Sequence, residues 1–273
     1  MKTTLLDRLW LALAVFVLVS PAISVFLWML SLAFKNEIDN LAYPPVFIPS
    51  PLTLDNFRAV FASGPFFQYL ANSLIVSGSA TLLALLVGVP AGYGIARMQA
   101  RKLMLTILIA RMTPAISFLI PLFTLFQAIG ITGTLTAVAI THLVITVPIT
   151  VYIVAGYFET LPKELDEAAY VDGCNPWQRF RWIALPLARP GITVAAILAF
   201  IFSWNTFVFG AVLAGRQTRT LPVAIYNVLT FEQIAWGPLA AAALLVTLPV
   251  LLLTLVIQKE IVGGLTAGGV KGG

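Results

Sequence analysis

The chain has 273 residues, 60% of them hydrophobic and 10% charged, with a mean hydropathy of +0.97. A water-soluble domain carries roughly a quarter charged residues, so a soluble globular fold is excluded. The net charge of +5 comes from sixteen Lys and Arg scattered between apolar runs. Without a concentrated basic stripe there is no nucleic-acid partner to infer, and the basicity is topological. The single Cys174 and the single His142 leave no disulfide framework and no Cys/His metal cluster.

A bilayer core of about 30 Å needs about 20 apolar residues in helical form. Six stretches reach that length: 9–34, 70–96, 103–129 with Arg111 inside it, 134–158, 191–215 and 238–258. The expectation is an all-α integral membrane protein with six transmembrane helices in one domain, 1–273. Pro21, Pro90, Pro114, Pro121, Pro148 and Pro249 fall within these stretches. They are tolerated in membrane spans, where neighbouring helices and Ser or Thr re-satisfy the freed carbonyls. Lys2 and Arg8 ahead of the first stretch, and Ser31-Leu32-Ala33 near its end, faintly resemble a cleavable signal peptide. Its apolar region is about twice the length of a signal h-region, which favours a retained span.

Orientation follows from Lys and Arg in the short connections. With the N-terminus inside, Lys2, Arg8, Arg97, Arg101, Lys102, Lys163, Arg179, Arg181, Arg189, Lys259 and Lys271 are cytoplasmic. Lys35, Arg58, Arg216 and Arg219 are left outside. Eleven against four places both termini in the cytoplasm.

Two connections are long enough for structure of their own. The outer one, 35–69, is rich in Pro and aromatic residues, and its 54–61 segment spaces apolar residues for a short amphipathic helix at the membrane surface or against a partner. The cytoplasmic one, 159–190, reads as two short helices joined by a turn. The first, over 162–172, sets Glu164, Asp166, Glu167 and Asp172 around Leu165, Ala168 and Ala169, small residues that let another surface approach. Gly173 supplies the conformation that commonly ends a helix. Asn175 followed by Pro176 is an N-cap with proline at the first helical position. The second helix places Trp177, Phe180 and Ala184 on one side, and Pro186 and Pro190 stop it. Such a hairpin can lie on lipid head groups, but five acids in one loop do not suit an anionic surface. A partner protein explains them better.

Glu167-Ala168-Ala169, three residues, Gly173, nine residues, then Ile183-Ala184-Leu185-Pro186 resembles the EAA signature of binding-protein-dependent ABC importer permeases at every fixed position. Asp172-Gly173, Pro176-Trp177, Ser203-Trp204-Asn205 and the Gly-rich ending from Gly264 to Gly272 extend the resemblance to the maltose-type carbohydrate subfamily. It implies the type I (MetI-like) architecture, in the bacterial inner membrane, for a sugar, oligosaccharide or polyol. The implied partners are a second homologous permease, a cytoplasmic ATPase dimer and an extracytoplasmic solute-binding protein. Glu167, Ala168, Ala169, Asp172 and Gly173 become positions docking on the ATPase. Ile183, Leu185 and Pro186 complete the motif, Leu185 and Pro186 joining the hairpin to span five, and the tail 259–273 would also reach the ATPase or stay disordered. The resemblance implies a non-enzymatic subunit without cofactors of its own. Gly88 to Gly94 is too short for a phosphate loop and lacks its Lys and Ser/Thr, so ATP and Mg belong to the partner.

Inside the membrane Arg111 is the costliest residue, at about 2.5–3.5 kcal/mol for a charge at a helix centre. It either lines the translocation path or snorkels to the interface, about 12 Å of helix from Leu103. His142 reads as a helix-packing residue, since no span holds a carboxylate for proton exchange. Trp204 and Asn205 are path candidates, an indole to stack on sugar rings and an amide to meet hydroxyls. Thr206 stands where the carbohydrate subfamily often has an acid. The 215–237 loop, with Arg216, Arg219 and Glu232, resembles the part facing the binding protein. Two other transport readings remain, an importer of glycerol phosphate served by Arg111 and an ion-coupled carrier. The carrier is disfavoured by the missing inverted repeat. An intramembrane enzyme lacks a nucleophile with its base.

Overall fold

The computed structural model describes residues 5–226 and 235–269, with side chains for 10–11, 13–226 and 235–255. In chain order the helices are α1 (Leu5–Ala33), α2 (Glu37–Asn40), α3 (Asp55–Ala62), α4 (Phe66–Met98), α5 (Arg101–Met112), α6 (Leu119–Ala128), α7 (Leu135–Thr160) and α8 (Lys163–Val171). They continue as α9 (Pro176–Leu187), α10 (Arg189–Trp204), α11 (Val208–Leu213), α12 (Leu221–Tyr226) and α13 (Trp236–Gly269). Among the described residues the only β-type pairing is an isolated bridge between Gly133 and Ala214.

Four helical segments are long and apolar enough to cross a membrane by themselves: Leu13–Ala33, Phe66–Met98, Leu135–Thr160 and Trp236–Leu255. Two expected spans take a different form. The 103–129 stretch is not one helix: α5 ends at Met112, and the segment Ala115–Ala128 leaves at 88°. Pro114 is the cause, since it pushes the residue before it out of helical conformation, and Thr113 is extended at ψ 127°. The 191–215 stretch forms α10, stops at Trp204 and resumes only as the short α11. Asn205 Nδ2 donates to the Ile201 carbonyl at 2.9 Å and Thr206 Oγ1 to Phe202 at 2.7 Å, so polar side chains cap the last turn.

The chain divides into two compact units, 1–66 with 225–248 and 67–224 with 249–273. In the first, the expected surface helix is α3, and its Asn56 is buried rather than exposed. Its Nδ2 donates to the carbonyls of Ala33 and Lys35 at 2.9 and 2.7 Å, satisfying groups that the end of α1 leaves open. Lys35 is fully enclosed, its Nζ donating to the Val46 carbonyl at 2.6 Å and lying 4.6 Å from the Trp28 ring centroid. Burial draws its pKa below the ordinary lysine value, with Asp39 opposing. The Glu37 carboxylate accepts from the backbone N–H groups of Trp236 and Gly237 at 2.8 and 2.9 Å, supplying negative charge at the N-terminus of α13.

In the second unit α7 is the central element. Gly88 and Gly92 turn one face of α4 onto it so closely that a Cβ at Gly88 would lie 2.7 Å from Thr150 Cγ2, and one at Gly92 3.0 Å from the Ala155 nitrogen. This small-xxx-small contact lets two helices approach where lipid supplies no hydrophobic drive. On another face, His142 Nδ1 meets Ser203 Oγ of α10 at 2.7 Å. Thr141, Thr146 and Thr150 are buried but bond to carbonyls of their own helix. At one end, Val76, Phe126, Ala137, Val138, Phe209 and Leu213 form a common apolar cluster. Asn72 Nδ2 donates to the carbonyls of Gln217 and Arg219 at 2.8 and 2.9 Å, and Thr218 Oγ1 donates to Gly133 at 2.8 Å. These bonds fix the first half of the expected 215–237 loop, whose Glu232 lies outside the described residues.

Gly92→Leu should force α4 away from α7 and lower the thermal midpoint in detergent, at the about 1–3 kcal/mol typical of overpacking. Gly94→Leu, with no atom within 4 Å of the added Cβ, should leave the midpoint near wild type. Differential scanning fluorimetry of the two variants checks this.

Candidate functional site

The 159–190 connection folds as the expected hairpin. α8 ends in a motif that needs Gly173: at φ +83° this residue lets Cys174 N–H reach back to the Ala169 carbonyl at 2.9 Å and Gly173 N–H to Tyr170 at 3.0 Å. No atom lies within 4 Å of a Cβ built there, so the requirement is conformational rather than steric. Asn175 then caps α9. Its Oδ1 accepts from Gln178 N–H at 2.9 Å while Gln178 Oε1 accepts from Asn175 N–H at 2.8 Å, a reciprocal box with Pro176 at the first helical position. Two capped ends separated by a short turn make the hairpin stiff.

α9 does not stop at Pro186. Residues Arg179–Ala184 adopt a π-helical turn and the helix continues to Leu187, bending by 77° into α10. The wider turn makes room for the Pro186 ring, whose clash with the carbonyl four residues back breaks a regular helix. Phe180 and Ala184 are buried, and Leu185 packs against them with Val89 and Phe158. Ile183 is half-buried and Pro186 exposed. Trp177, expected on the same apolar side, is 61% exposed and meets the cluster at Phe180, 5.4 Å between centroids.

The signature residues of α8 divide by face. Glu167, Ala168, Asp172 and Gly173 are exposed, whereas Ala169 is buried. Only Ala168 of the alanine pair is therefore open to an approaching surface; Ala169 lies three residues from Asp166, on the inward side. Asp166, Glu167, Tyr170, Val171 and Arg179 line a groove of about 390 Å³, with the Arg179 guanidinium 5.5 Å from the Tyr170 ring.

Asp166, read above as one acid among several, is buried. Its carboxylate pairs with Arg97 at the end of α4, and Tyr93 Oη lies 3.4 Å from Oδ1. Tyr93 in turn packs on Phe158 and Phe180, each 5.2 Å between centroids. Sequence reasoning counted Arg97 as a topological charge and missed this cluster. The available signal was spacing, since Asp166 and Ala169, three apart, fall on one face of the helix while Glu164 and Glu167, also three apart, fall on another.

The residues expected within the membrane are placed differently from one another. Arg111, in the last turn of α5, is exposed at the edge of a cavity of about 110 Å³ shared with Thr113, Phe118, Val144 and Ile145. Its guanidinium carbon lies 5.6 Å from the Phe202 ring centroid. Asn205 is exposed at the end of α10. Trp204 is enclosed and stacked near Phe200 at 5.5 Å, so its indole is not presented to an open path. The physical reason is helical spacing: Trp204 falls on a buried side of α10 with Ile197, seven residues before it. His142 sits in the α7–α10 seam, as a packing residue does.

Residues 84–262 match the family described as binding-protein-dependent transport system inner membrane component. Over 260 residues, covering 93% of this chain and 94% of the relative, the sequence is 36% identical to a trehalose transport system permease protein of Mycobacterium tuberculosis. It is 32% identical to a trehalose/maltose transport system permease protein of Thermococcus litoralis and 30% identical to a diacetylchitobiose uptake system permease protein of Streptomyces coelicolor, with 100% of both chains covered in each comparison. The fold is similar to a chain of a bacterial ABC transporter that imports the acidic polysaccharide alginate, with a TM-score of 0.72 over 95% of this chain and 99% of that one at 18% identity. It is also similar to a chain of the MetNI methionine ABC transporter, with a TM-score of 0.61 over 73% of this chain and 95% of that one at 21% identity. The chain thus belongs to the binding-protein-dependent ABC importer permeases, the multi-pass inner-membrane components of these transporters.

Proposed function

We propose that this permease translocates a sugar, oligosaccharide or polyol, and that it is driven through the α8–α9 hairpin by a separate ATPase. The observation that carries the coupling role is the two-sided hairpin: a stiff, doubly capped projection whose inner face is buried and whose outer face leaves Glu167, Ala168, Asp172 and Gly173 open. In this reading Ala169, Ile183, Leu185 and Pro186 hold that face in place. The partners are a second homologous permease, an ATPase dimer in the cytoplasm and an extracytoplasmic solute-binding protein. Both termini are cytoplasmic. The six spans are α1, α4, α5 with α6, α7, α10 and α13, and the chain is one permease domain with a coupling loop at 159–190 and a tail from 259.

ATP and Mg belong to the partner. Gly88 and Gly92 lie within α4 against α7, where their close contact with another helix leaves no cradle for phosphate. The sugar class is supported by the relatives, whose names specify trehalose, maltose and diacetylchitobiose. Arg111 and Asn205 line the path in this reading, with Trp204 behind them. One observation favours a second ligand class: among the described residues no carboxylate pairs with Arg111, which leaves its charge available to an anion such as glycerol phosphate.

Tagged chain extracted in mild detergent should bring down a second permease and an ATPase. Glu167→Lys, reversing charge on the open face, should lose the ATPase or its stimulation by loaded binding protein; a lone chain that transports without ATP sinks the proposal. Stimulation by trehalose-loaded but not glycerol-phosphate-loaded binding protein selects the neutral class, and the reverse result selects the anionic one.

Gly173→Val should weaken ATPase recovery while the chain still reaches the membrane, because a β-branched residue at positive φ is a true outlier. Gly173→Asn, which tolerates that conformation, should retain most of the recovery. The half-buried Cys174 gives an independent readout, since fraying of the turn should speed its alkylation in the valine variant.

A further inference from the structure

Among the described residues Lys35 and Asp166 are the only buried charged side chains. Lys35 closes the end of α1, whereas Asp166 joins two elements far apart in sequence: the hairpin carries the acid, and α4 carries the Arg97 and Tyr93 that hold it. The guanidinium carbon lies 5.7 Å from the Tyr93 ring, whose other neighbours, Phe158 and Phe180, belong to α7 and α9. The pair is mostly enclosed, with 17% of the Arg97 side chain and 10% of Asp166 left to solvent. An enclosed pair is often replaceable by apolar residues without loss of stability, so its value lies in directional geometry.

The hairpin is continuous with α7 and α10, and any push on it reaches those helices through the chain. α4 has no such connection. It approaches α7 higher up through Gly88 and Gly92, a contact of small residues that can slide. At the hairpin end, Val89 and Ala96 share the apolar cluster of Phe180 and Ala184, and Tyr93 and Arg97 add, among the described residues, the one directional, charged attachment. We propose, building on the coupling role above, that the Arg97–Asp166 pair with Tyr93 is the joint that makes the hairpin and the inner end of α4 move as one body. The three are positioning residues: they contact neither ligand nor nucleotide, and they act by determining which span follows the hairpin. The exposed signature acid and the buried acid beside it then have separate tasks, Glu167 receiving the partner and Asp166 passing the displacement on.

The assembled importer tests this with spin labels at the exposed positions 98 and 163, introduced as Met98→Cys and Lys163→Cys in a Cys174→Ser background. Pulsed electron paramagnetic resonance reads the distance in the nucleotide-free and ATP-trapped complexes. With the native pair the distance should remain the same in both states. Asp166→Asn should make it shift or broaden on ATP binding, and the charge swap Arg97→Asp with Asp166→Arg should narrow it again. A distance that shifts on ATP binding with the native pair in place overturns the joint, as does an Asp166→Asn complex indistinguishable from it. Should Asp166→Asn fail to assemble, the native-pair measurement decides by itself. Absence of any ATPase from the purified native-pair complex would instead undo the coupling role on which the joint rests, a result seen before labelling.

Discussion

Everything in the larger unit is arranged around the faces of α7. A bilayer gives helices no hydrophobic reason to associate, so packing has to come from close approach and from hydrogen bonds between helices. α7 uses both. It receives the bare backbone of α4 at Gly88 and Gly92, and it offers His142 to Ser203 of α10. Its threonines spend their hydroxyls on their own helix and so ask nothing of their neighbours. With α7 held on two sides, its end at Thr160 becomes a firm base, and the hairpin that follows inherits that firmness.

The hairpin solves a conflict between exposure and order. A surface offered to a partner must stay solvated, and solvated segments of a dozen residues rarely hold one geometry. Here capping at both sides of the turn fixes the local path, while Phe180, Ala184 and Leu185 fix it to the base. The π turn over Arg179–Ala184 sits between these two anchors and lets the chain pass Pro186 before it bends into α10. A regular helix would have been interrupted four residues earlier, with the apolar cluster unpaired.

The hairpin was the part most legible from sequence, because its rules are local. Gly173 followed by Asn175-Pro176 allows few conformations, and the structure adopts the one those residues favour. Four of the six expected spans were legible for the same reason, since length and apolar composition decide them; the other two are bent pairs of helices. What sequence did not disclose is tertiary. Asp166 and Glu167 are adjacent acids with opposite fates, and only the position of Arg97 tells them apart. Lys35 counted only as a charge on the outer side, and its enclosure as a donor to Val46 was not visible. Trp204 suited a sugar by its chemistry, but the side of α10 on which it falls faces inward. The break at Thr113–Pro114 was visible as a proline, yet prolines at 90, 148 and 249 lie inside continuous helices, so the residue type alone does not identify the break.

That break meets a constraint particular to membranes. Backbone that leaves the helical path at membrane depth carries unpaired N–H and C=O groups, tolerable only against protein or a water-lined cavity. Among the described residues of the larger unit, two expected spans leave the helical path, at 113–114 between α5 and α6 and at 205–207 after α10. They are linked by the Arg111 guanidinium lying over Phe202, and a small cavity opens beside the first. Arg111 stands beside the break and the cavity rather than in the middle of a regular helix. The costliest residue of the sequence and the two interrupted spans therefore answer the same constraint: polar groups inside a membrane survive where they can serve one another.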